Sequence, residues 1–336
     1  STLNHLRNGQ KMLQWKGLVG SSFALHAKAI TESHQGKHLF ILENKEAAAY
    51  FLNDLQGISN TKSEILFFPN SMKIPYQLED TDNANVVYRA EVLERMNSEK
   101  KLLVVSYPEA LFEKVPSKKK LVTHTLKISV GVQYSIDFLN ELLFEYQFER
   151  VDFVYQPGQF AIRGGIVDVF SYASDLPFRV EFFGDEVESI RSFDPASQRS
   201  MANFSFFNVV PNVQSTALME EVSDVFSYFG SDALVWIEHA SVMEDVIRGL
   251  FKKAQKIASE STGEFIPTSP EKLFLSPEQL EKSPQPLSRI FWGNTENNPA
   301  NAVIEFKTIP QPAFNKNFDL LRGDLQNYLK IGRAHV

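Results

Sequence analysis

The sequence predicts an α/β protein in which a parallel-sheet domain is interrupted by a smaller α+β domain. In the first and last thirds of the chain, short continuous apolar runs alternate with segments of helical periodicity. Such runs are typical of strands in a parallel sheet that helices cover on both faces. In the middle third, strands that alternate apolar and polar residues follow one amphipathic helix, which indicates an α+β unit with one wet sheet face.

Composition narrows the class of protein. The chain has 336 residues, of which 43% are hydrophobic, with 28 phenylalanines and a formal net charge of −7. Two or three domains with separate cores are possible at this length. The absence of cysteine excludes disulfides, thiol catalysis and thiolate metal sites, and a cytoplasmic location is expected. The negative charge argues against strong independent DNA binding, and no apolar run reaches the ~20 residues that cross a membrane.

The first α/β part covers residues 1–115. Its predicted elements are a helix at 22–33, a strand at 38–42, a helix at 45–55, a strand at 64–68, a helix at 86–96 and a strand at 102–105. His34 and His38 have the i,i+4 spacing of a metal-binding pair, but Gly36 lies between them and a strand begins at His38. Because a shared helical face is not expected and zinc needs further ligands, we predict no metal site there.

The turn before the first long helix has the glycine spacing of a phosphate-binding loop. A working loop ends in Gly-Lys-Ser/Thr, where the lysine reaches the β- and γ-phosphates and the hydroxyl holds magnesium. Here Gly17 and Gly20 are followed by Ser22, Phe23 and Ala24, so both chemical groups are missing. We predict a degenerate loop that packs a strand against a helix and binds neither nucleotide nor any other cofactor.

The predicted α+β unit covers residues 119–211, after a lysine-rich linker at 113–120. It contains an amphipathic helix at 135–144, and its strands are concentrated between residues 153 and 194. Strand alternation directs one set of side chains inwards and the other outwards. The inward set is Phe178, Val180 and Phe182, and the outward set is Arg179, Glu181 and Phe183, with Arg163 outward on the preceding strand before the Gly164-Gly165 bend.

Two interpretations of the outward residues remain open. In the first, the arginines are solvated or pair with neighbouring carboxylates, for which Glu181, Asp185 and Glu188 are available. In the second, two arginines and the aromatic Phe183 form a protein-recognition surface, since these residue types dominate interface energetics.

From residue 212 the α/β pattern resumes. We predict a strand at 234–238, a helix at 242–258, short helices that follow Ser269 and Ser276 with proline first, an irregular loop at 284–301, a strand at 302–306 and a helix at 318–329. Gln279 stands three residues after Ser276, as a capping box requires.

The stretch PGQFAIRGGIVDVFSYASDLPFRVEFFGDEVESIRSFDPASQRS, residues 157–200, resembles the inserted domain of the N-terminal UvrB-homology module in bacterial transcription-repair coupling factors (Mfd). Further similarity at residues 67–76 and 311–318 extends the resemblance to nearly the whole chain. It implies a degenerate P-loop domain of the RecA and UvrB type, formed by residues 1–115 and 212–330, with 119–211 inserted as a UvrA-binding domain. Residues 331–336 do not continue the pattern and are expected to be a non-native tail on a truncated chain.

The same resemblance implies a non-catalytic module that recruits the excision-repair protein UvrA to stalled RNA polymerase during transcription-coupled nucleotide excision repair. Arg163, Arg179 and Phe183 match the positions with which the family contacts UvrA. The ATP-dependent DNA translocase, and the contacts with RNA polymerase and DNA, are expected in domains beyond this chain. Intramolecular contact with the rest of the factor is also expected, and no membrane contact.

Two alternatives to this function stay open. One is an ATP-dependent DNA repair subunit of the UvrB or helicase type, against which Phe23 at the lysine position argues. The other is a purely structural domain whose partner surface lies within the same long protein.

Overall fold

The computed structural model describes residues 2–76, 82–215, 217–260, 268–293, 298, 300–309 and 317–330. Its helices are α1 (Thr2–Arg7), α2 (Ser22–Ser33), α3 (Lys45–Ile58), α4 (Asn83–Ser98), α5 (Pro108–Phe112), α6 (Lys118–Thr123), α7 (Ile136–Glu145), α8 (Ala240–Glu260), α9 (Pro270–Leu273), α10 (Pro277–Lys282) and α11 (Phe318–Lys330). Its strands are β1 (Met12–Lys16), β2 (His38–Ile41), β3 (Ile65–Phe67), β4 (Leu103–Ser106), β5 (Val115–Pro116), β6 (Leu126–Ser129), β7 (Glu149–Arg150), β8 (Gln159–Arg163), β9 (Ile166–Val169), β10 (Phe178–Phe183), β11 (Glu186–Phe193), β12 (Ser200–Phe204), β13 (Phe206–Val209), β14 (Val222–Ser223), β15 (Leu234–Glu238), β16 (Ser288–Trp292) and β17 (Ala302–Glu305). None of the helices in these ranges is long and apolar enough to cross a membrane.

The larger sheet has seven strands in the order β17-β1-β16-β15-β2-β4-β3. All neighbouring strands in it are parallel. Every residue of β2 and β4 is buried, which explains why these strands are mostly apolar instead of alternating. Phe23 of α2, Phe51 of α3, Val92 of α4 and Phe251 of α8 belong to the same buried core as the sheet. The predicted α/β class with a parallel sheet is confirmed.

The structure corrects the prediction of an irregular loop at 284–301, because this range contains the central strand β16. Its Ile290 lies between Leu13 of β1 and Trp236 of β15. The apolar run of β16 is short and is surrounded by proline, serine and asparagine, so its local pattern is that of a loop. Two distant strands bury it, and such tertiary context overrides local preference in sheets.

The smaller sheet has six strands in the order β12-β11-β10-β9-β8-β7. Its neighbours are antiparallel except for the parallel pair of β7 and β8. One face is buried together with α7 and with the two-stranded ladder of β6 and β13, since Leu139, Leu143, Val180, Ile190 and Phe207 share one core cluster. The inward side of the alternation predicted for β10 is therefore confirmed.

The chain passes between the two sheets through a pair of short adjacent strands. Strand β5 precedes the smaller sheet, and it pairs antiparallel with β14, which follows that sheet. The backbone N–H and the hydroxyl of Ser117 each donate to Glu221, at 2.8 Å in both cases. Ser117 also caps α6 by accepting a hydrogen bond from the N–H of Lys120. The predicted linker at 113–120 is wrong at this point, because its lysines begin a helix.

Local helix signals were strong enough to place several boundaries. Helix α2 has the predicted limits, Ser22–Ser33. The capping box of α10 is present, with reciprocal hydrogen bonds between Ser276 and Gln279. Helix α9 begins at Pro270 as predicted, although Ser269 makes no side-chain capping bond. The expected non-native tail at 331–336 lies outside the described residues.

Candidate protein-binding surface

Two of the predicted site residues meet at one buried carboxylate. Asp168 on β9 lies directly opposite Arg179 on β10, and directly opposite Ala161 on β8. Arg179 donates from Nε to Oδ1 of Asp168 at 2.8 Å and from Nη2 to Oδ2 at 2.9 Å. Arg163 donates to Oδ2 of the same carboxylate. We call these three residues, Arg163, Asp168 and Arg179, the Arg–Asp–Arg clamp.

The clamp satisfies a group that would otherwise be costly to bury. The Asp168 side chain is fully buried, and burial of an unpaired carboxylate is strongly unfavourable. Parallel hydrogen bonds from one guanidinium to one carboxylate are among the strongest pairings in proteins. The hydrogen bond with Asp168 raises the pKa of Arg179 above its ordinary value. The two arginines and Asp168 carry one net positive charge between them.

The two arginines differ in how much of each side chain reaches solvent. The Arg163 side chain is 38% exposed, whereas that of Arg179 is 17% exposed. Arg179 lies over the ring of Phe193, with 4.7 Å from the guanidinium carbon to the ring centroid, and its Nη1 donates to the carbonyl of Gln198 at 3.4 Å. Arg163 also donates from Nη1 to the carbonyl of Asp152 at 2.6 Å. Arg163 is thus the accessible member of the clamp.

Phe183 points into solvent, as the alternation of β10 predicts. It is 80% exposed and stands at the end of β10, next to the turn at Gly184 and Asp185. It stands four positions after Arg179, which corresponds to about 13 Å along an extended strand. The structure therefore brings Arg163 and Arg179 together and places Phe183 farther along the same strand face.

The carboxylates that the sequence offered as partners are not those that the arginines use. Glu181 accepts hydrogen bonds from Arg191 and from the Ser189 hydroxyl, the latter at 2.8 Å. Asp168 was missed because it follows Arg163 by five residues and belongs to an apolar strand. A signal was available, since the turn at 164–165 pairs β8 with β9 and brings Asp168 to the outward face.

A second feature beside Arg163 was also missed by sequence reasoning. The Arg163 guanidinium lies 5.5 Å from the ring centroid of Phe153, which is itself exposed, as is Tyr155. An open groove of about 510 Å³ runs beside them, and Arg150, Asp152, Phe153 and Arg163 contribute to its lining. Aromatic residues just before the Gln156-Pro157-Gly158 turn were the only signal for it.

The glycine turn at Gly17 and Gly20 leads into a helix whose first residues are engaged inside the fold. Phe23 is buried and stacks on Trp292, with ring centroids 3.3 Å apart and planes at 4°. The first amides of α2 are engaged within the chain, since Ser22 N donates to the Val19 carbonyl and Phe23 N to the Gly20 carbonyl. The position that holds lysine in a working phosphate loop is thus part of the aromatic core.

His34 and His38 contact each other through one hydrogen bond. His38 is fully buried, and its Nδ1 accepts from the indole N–H of Trp236 at 3.1 Å. Its Nε2 must then carry the proton, which it donates to Nδ1 of His34 at 3.2 Å. Burial lowers the pKa of His38 to about 3. Among the described residues no group of three or more His, Asp or Glu side chains could hold a metal ion.

Comparison with known proteins agrees with the family resemblance. Residues 126–214, which contain the clamp and Phe183, match the family described as UvrB interaction domain. The transcription-repair-coupling factor of Bacillus subtilis (strain 168) is 27% identical over 266 residues, which are 79% of this chain and 21% of that protein. Those of Myxococcus xanthus and Escherichia coli (strain K12) are 30% and 26% identical, over 62% and 58% of this chain and 18% and 17% of those proteins. The chain thus spans about a fifth of the length of the curated relatives that it matches.

Proposed function

We propose that this chain, similar over most of its length to transcription-repair coupling factors, is a non-catalytic module that binds UvrA. The binding surface is the outward face of the smaller sheet, with Arg163, Arg179 and Phe183 as its main residues. The observation that carries the proposal is the match of residues 126–214 to the UvrB interaction domain. This range holds the two paired arginines and, farther along the same strand face, a phenylalanine that is 80% exposed.

The physical character of this face supports a role in protein binding. A phenylalanine that is 80% exposed leaves apolar surface in water, and a partner that covers it gains that hydrophobic free energy. Arginine and aromatic residues are enriched where interfaces bind most strongly. In the longer protein, a translocase domain would act on DNA and stalled RNA polymerase, and this module would bring UvrA to the lesion.

The larger domain is proposed to be a degenerate P-loop domain of the RecA and UvrB type. Its parallel sheet and the glycine turn at Gly17 and Gly20 support this, while Phe23 replaces the lysine that would contact phosphates. The rival function, an ATP-dependent repair subunit, requires nucleotide binding at this turn. We expect no ATP binding by calorimetry, and saturable binding at about micromolar nucleotide, the range typical of enzyme sites, would favour the rival.

The UvrA proposal is tested by measuring the affinity of the 336-residue chain for purified UvrA. Phe183→Ala should weaken binding by about 2 kcal/mol, roughly 30-fold, because it removes an aromatic anchor. The melting temperature should stay close to that of the unaltered chain, since the exposed ring packs little within its own domain. Tyr50→Ala is the matched control, because Tyr50 is also an exposed aromatic, at 68%, but lies on α3 of the larger domain. Equal affinity of both variants for UvrA would contradict the proposal.

A further inference from the structure

The clamp contains one residue that has no solvent-exposed surface and contacts both arginines of the candidate surface. Asp168 is fully buried, and its two oxygens accept hydrogen bonds from both Arg163 and Arg179. Strands β8, β9 and β10 supply one member each, so the clamp also ties the three strands together on their outward face. Two long, flexible side chains are thereby held in one geometry before any partner arrives.

We propose that Asp168 is a positioning residue, which fixes the Arg163 guanidinium so that it receives an acidic side chain of the partner. This inference rests on the proposed binding of UvrA at this face. Arg179 is the internal support, because it is covered by Phe193 and has donors on Nε, Nη1 and Nη2 in use. Arg163 is the contacting residue.

The unused donors of Arg163 indicate the chemistry of its partner. A guanidinium has five N–H groups, and the described residues accept from only one on each Nη of Arg163. Arg163 is also one of the residues that line the groove, together with Phe153 and Arg150. A carboxylate is the group that matches this planar array of donors, and the net positive charge of the clamp favours a single negative group.

Asp168 competes with an acidic side chain of the partner for Arg163, but it can still strengthen binding because it holds Arg163 in place before the partner binds. Association must immobilise rotamer-rich side chains, and a side chain that is already held loses less freedom on binding. If Asp168 only competed with the partner for the arginines, its removal would increase affinity because the face would gain one positive charge. Positioning and competition therefore predict effects of opposite sign for the same substitution.

The test is the affinity for UvrA of Asp168→Asn in the full 336-residue chain, beside the unaltered chain. We expect affinity to fall about tenfold or more, since asparagine lacks the charge and has only one of the two acceptor oxygens that the arginines use. Glu181→Gln is the matched control, because it removes the same charge from the same face but leaves the clamp paired. Side-chain ¹⁵N NMR should show the Arg179 Nε–H protected in the unaltered chain and in Glu181→Gln, and exposed in Asp168→Asn.

Each remaining outcome has a defined meaning. Unchanged or higher affinity of Asp168→Asn overturns the positioning role while the proposed function stands. Failure of the unaltered chain to bind UvrA overturns the proposed function itself. If Asp168→Asn does not fold, Arg163→Lys decides, because it keeps the charge on a half-exposed side chain and loses the planar donors. Its affinity should also fall about tenfold, and affinity equal to that of the unaltered chain would overturn the inference.

Discussion

Two arginine–carboxylate units in this molecule use the same groups for different purposes. In the larger domain, Arg89 and Glu113 are both buried and lie 3.6 Å apart. Arg89 donates to the carbonyls of Pro69, Ala110 and Glu113 at 2.8, 3.1 and 3.2 Å, and Glu113 accepts from the hydroxyl and the N–H of Ser71. All these contacts are between residues inside the larger domain, so this arginine–carboxylate pair serves the fold alone.

The Arg–Asp–Arg clamp of the smaller domain has a buried carboxylate too, but one of its arginines reaches solvent with donors unused. The aromatic residues repeat this contrast, since Phe23 is stacked in the core and Phe183 is 80% exposed. Residue type therefore does not separate residues with an internal structural role from residues with a proposed binding role. The two groups of residues differ in the exposure of the side chain and in the number of N–H donors that have no acceptor within the fold.

The largest effect is expected where the arginine is wholly internal. Arg89→Met should lower the free energy of unfolding by about 3–5 kcal/mol, because it leaves Glu113 buried without its cation. Urea denaturation measures this, and the affinity of the folded protein for UvrA should not change. Lys256→Met is the control, since it breaks the exposed pair with Glu260 and should have little effect. Similar losses of stability in Arg89→Met and Lys256→Met would show that the buried pair of Arg89 and Glu113 has no special structural role.

Arg179→Glu should affect stability and binding together, because Arg179 belongs to both the fold and the surface. Its new carboxylate would face buried Asp168, which should lower the free energy of unfolding by about 2 kcal/mol or more. Affinity for UvrA should fall roughly 30-fold, or about 2 kcal/mol. Arg199→Glu, an exposed substitution in the segment between β11 and β12, is the control for charge alone. If Arg199→Glu lost as much affinity for UvrA as Arg179→Glu, the loss would be explained by the change in net charge, without a specific role for the clamp.

Acid should weaken the larger domain through His38. Its pKa is lowered to about 3 in the fold, whereas the unfolded chain has the ordinary value of 6.5. Between these values the unfolded state binds more protons, so stability is complete above pH 6.5 and decreases as pH falls. The expected loss is about 1.4 kcal/mol per pH unit, or about 2 kcal/mol by pH 5.

Unfolding curves at several pH values measure this effect of His38. His38→Asn is the reference variant, because an amide oxygen can accept the Trp236 hydrogen bond and does not titrate in this range. It should be less stable at neutral pH and should show a flatter dependence on pH. Equal slopes for both proteins would exclude His38 as the source.

The fold was predictable where local pattern and burial agree. The apolar runs of β2 and β4 and the capping box at Ser276 are local signals, and each predicted the observed element. Strand β16 was not predictable, because its polar surroundings outweigh three apolar residues until two distant strands bury them. The lysines of α6 begin a helix that Ser117 caps, within a stretch whose composition is typical of a linker.

For the candidate site, the sequence supplied the proposed residues and did not supply their arrangement. Alternation and resemblance identified Arg163, Arg179 and Phe183, and alternation was sufficient to place Phe183 in solvent. Neither signal identified Asp168, because a carboxylate inside an apolar strand is meaningful only when the register of three strands is known. The difference in exposure between the two arginines also depends on that register and on Phe193.

The adjacency of β5 and β14 has a consequence for domain insertion, in evolution and in protein engineering. The chain leaves the larger domain at one of these strands and returns at the other, so both ends of the intervening segment are neighbours about 5 Å apart. Segments whose ends lie close together are tolerated as insertions. The smaller domain is in this sense an insert whose two chain ends meet at one antiparallel strand pair. Such a segment could be removed or exchanged, with the chain rejoined at that strand pair.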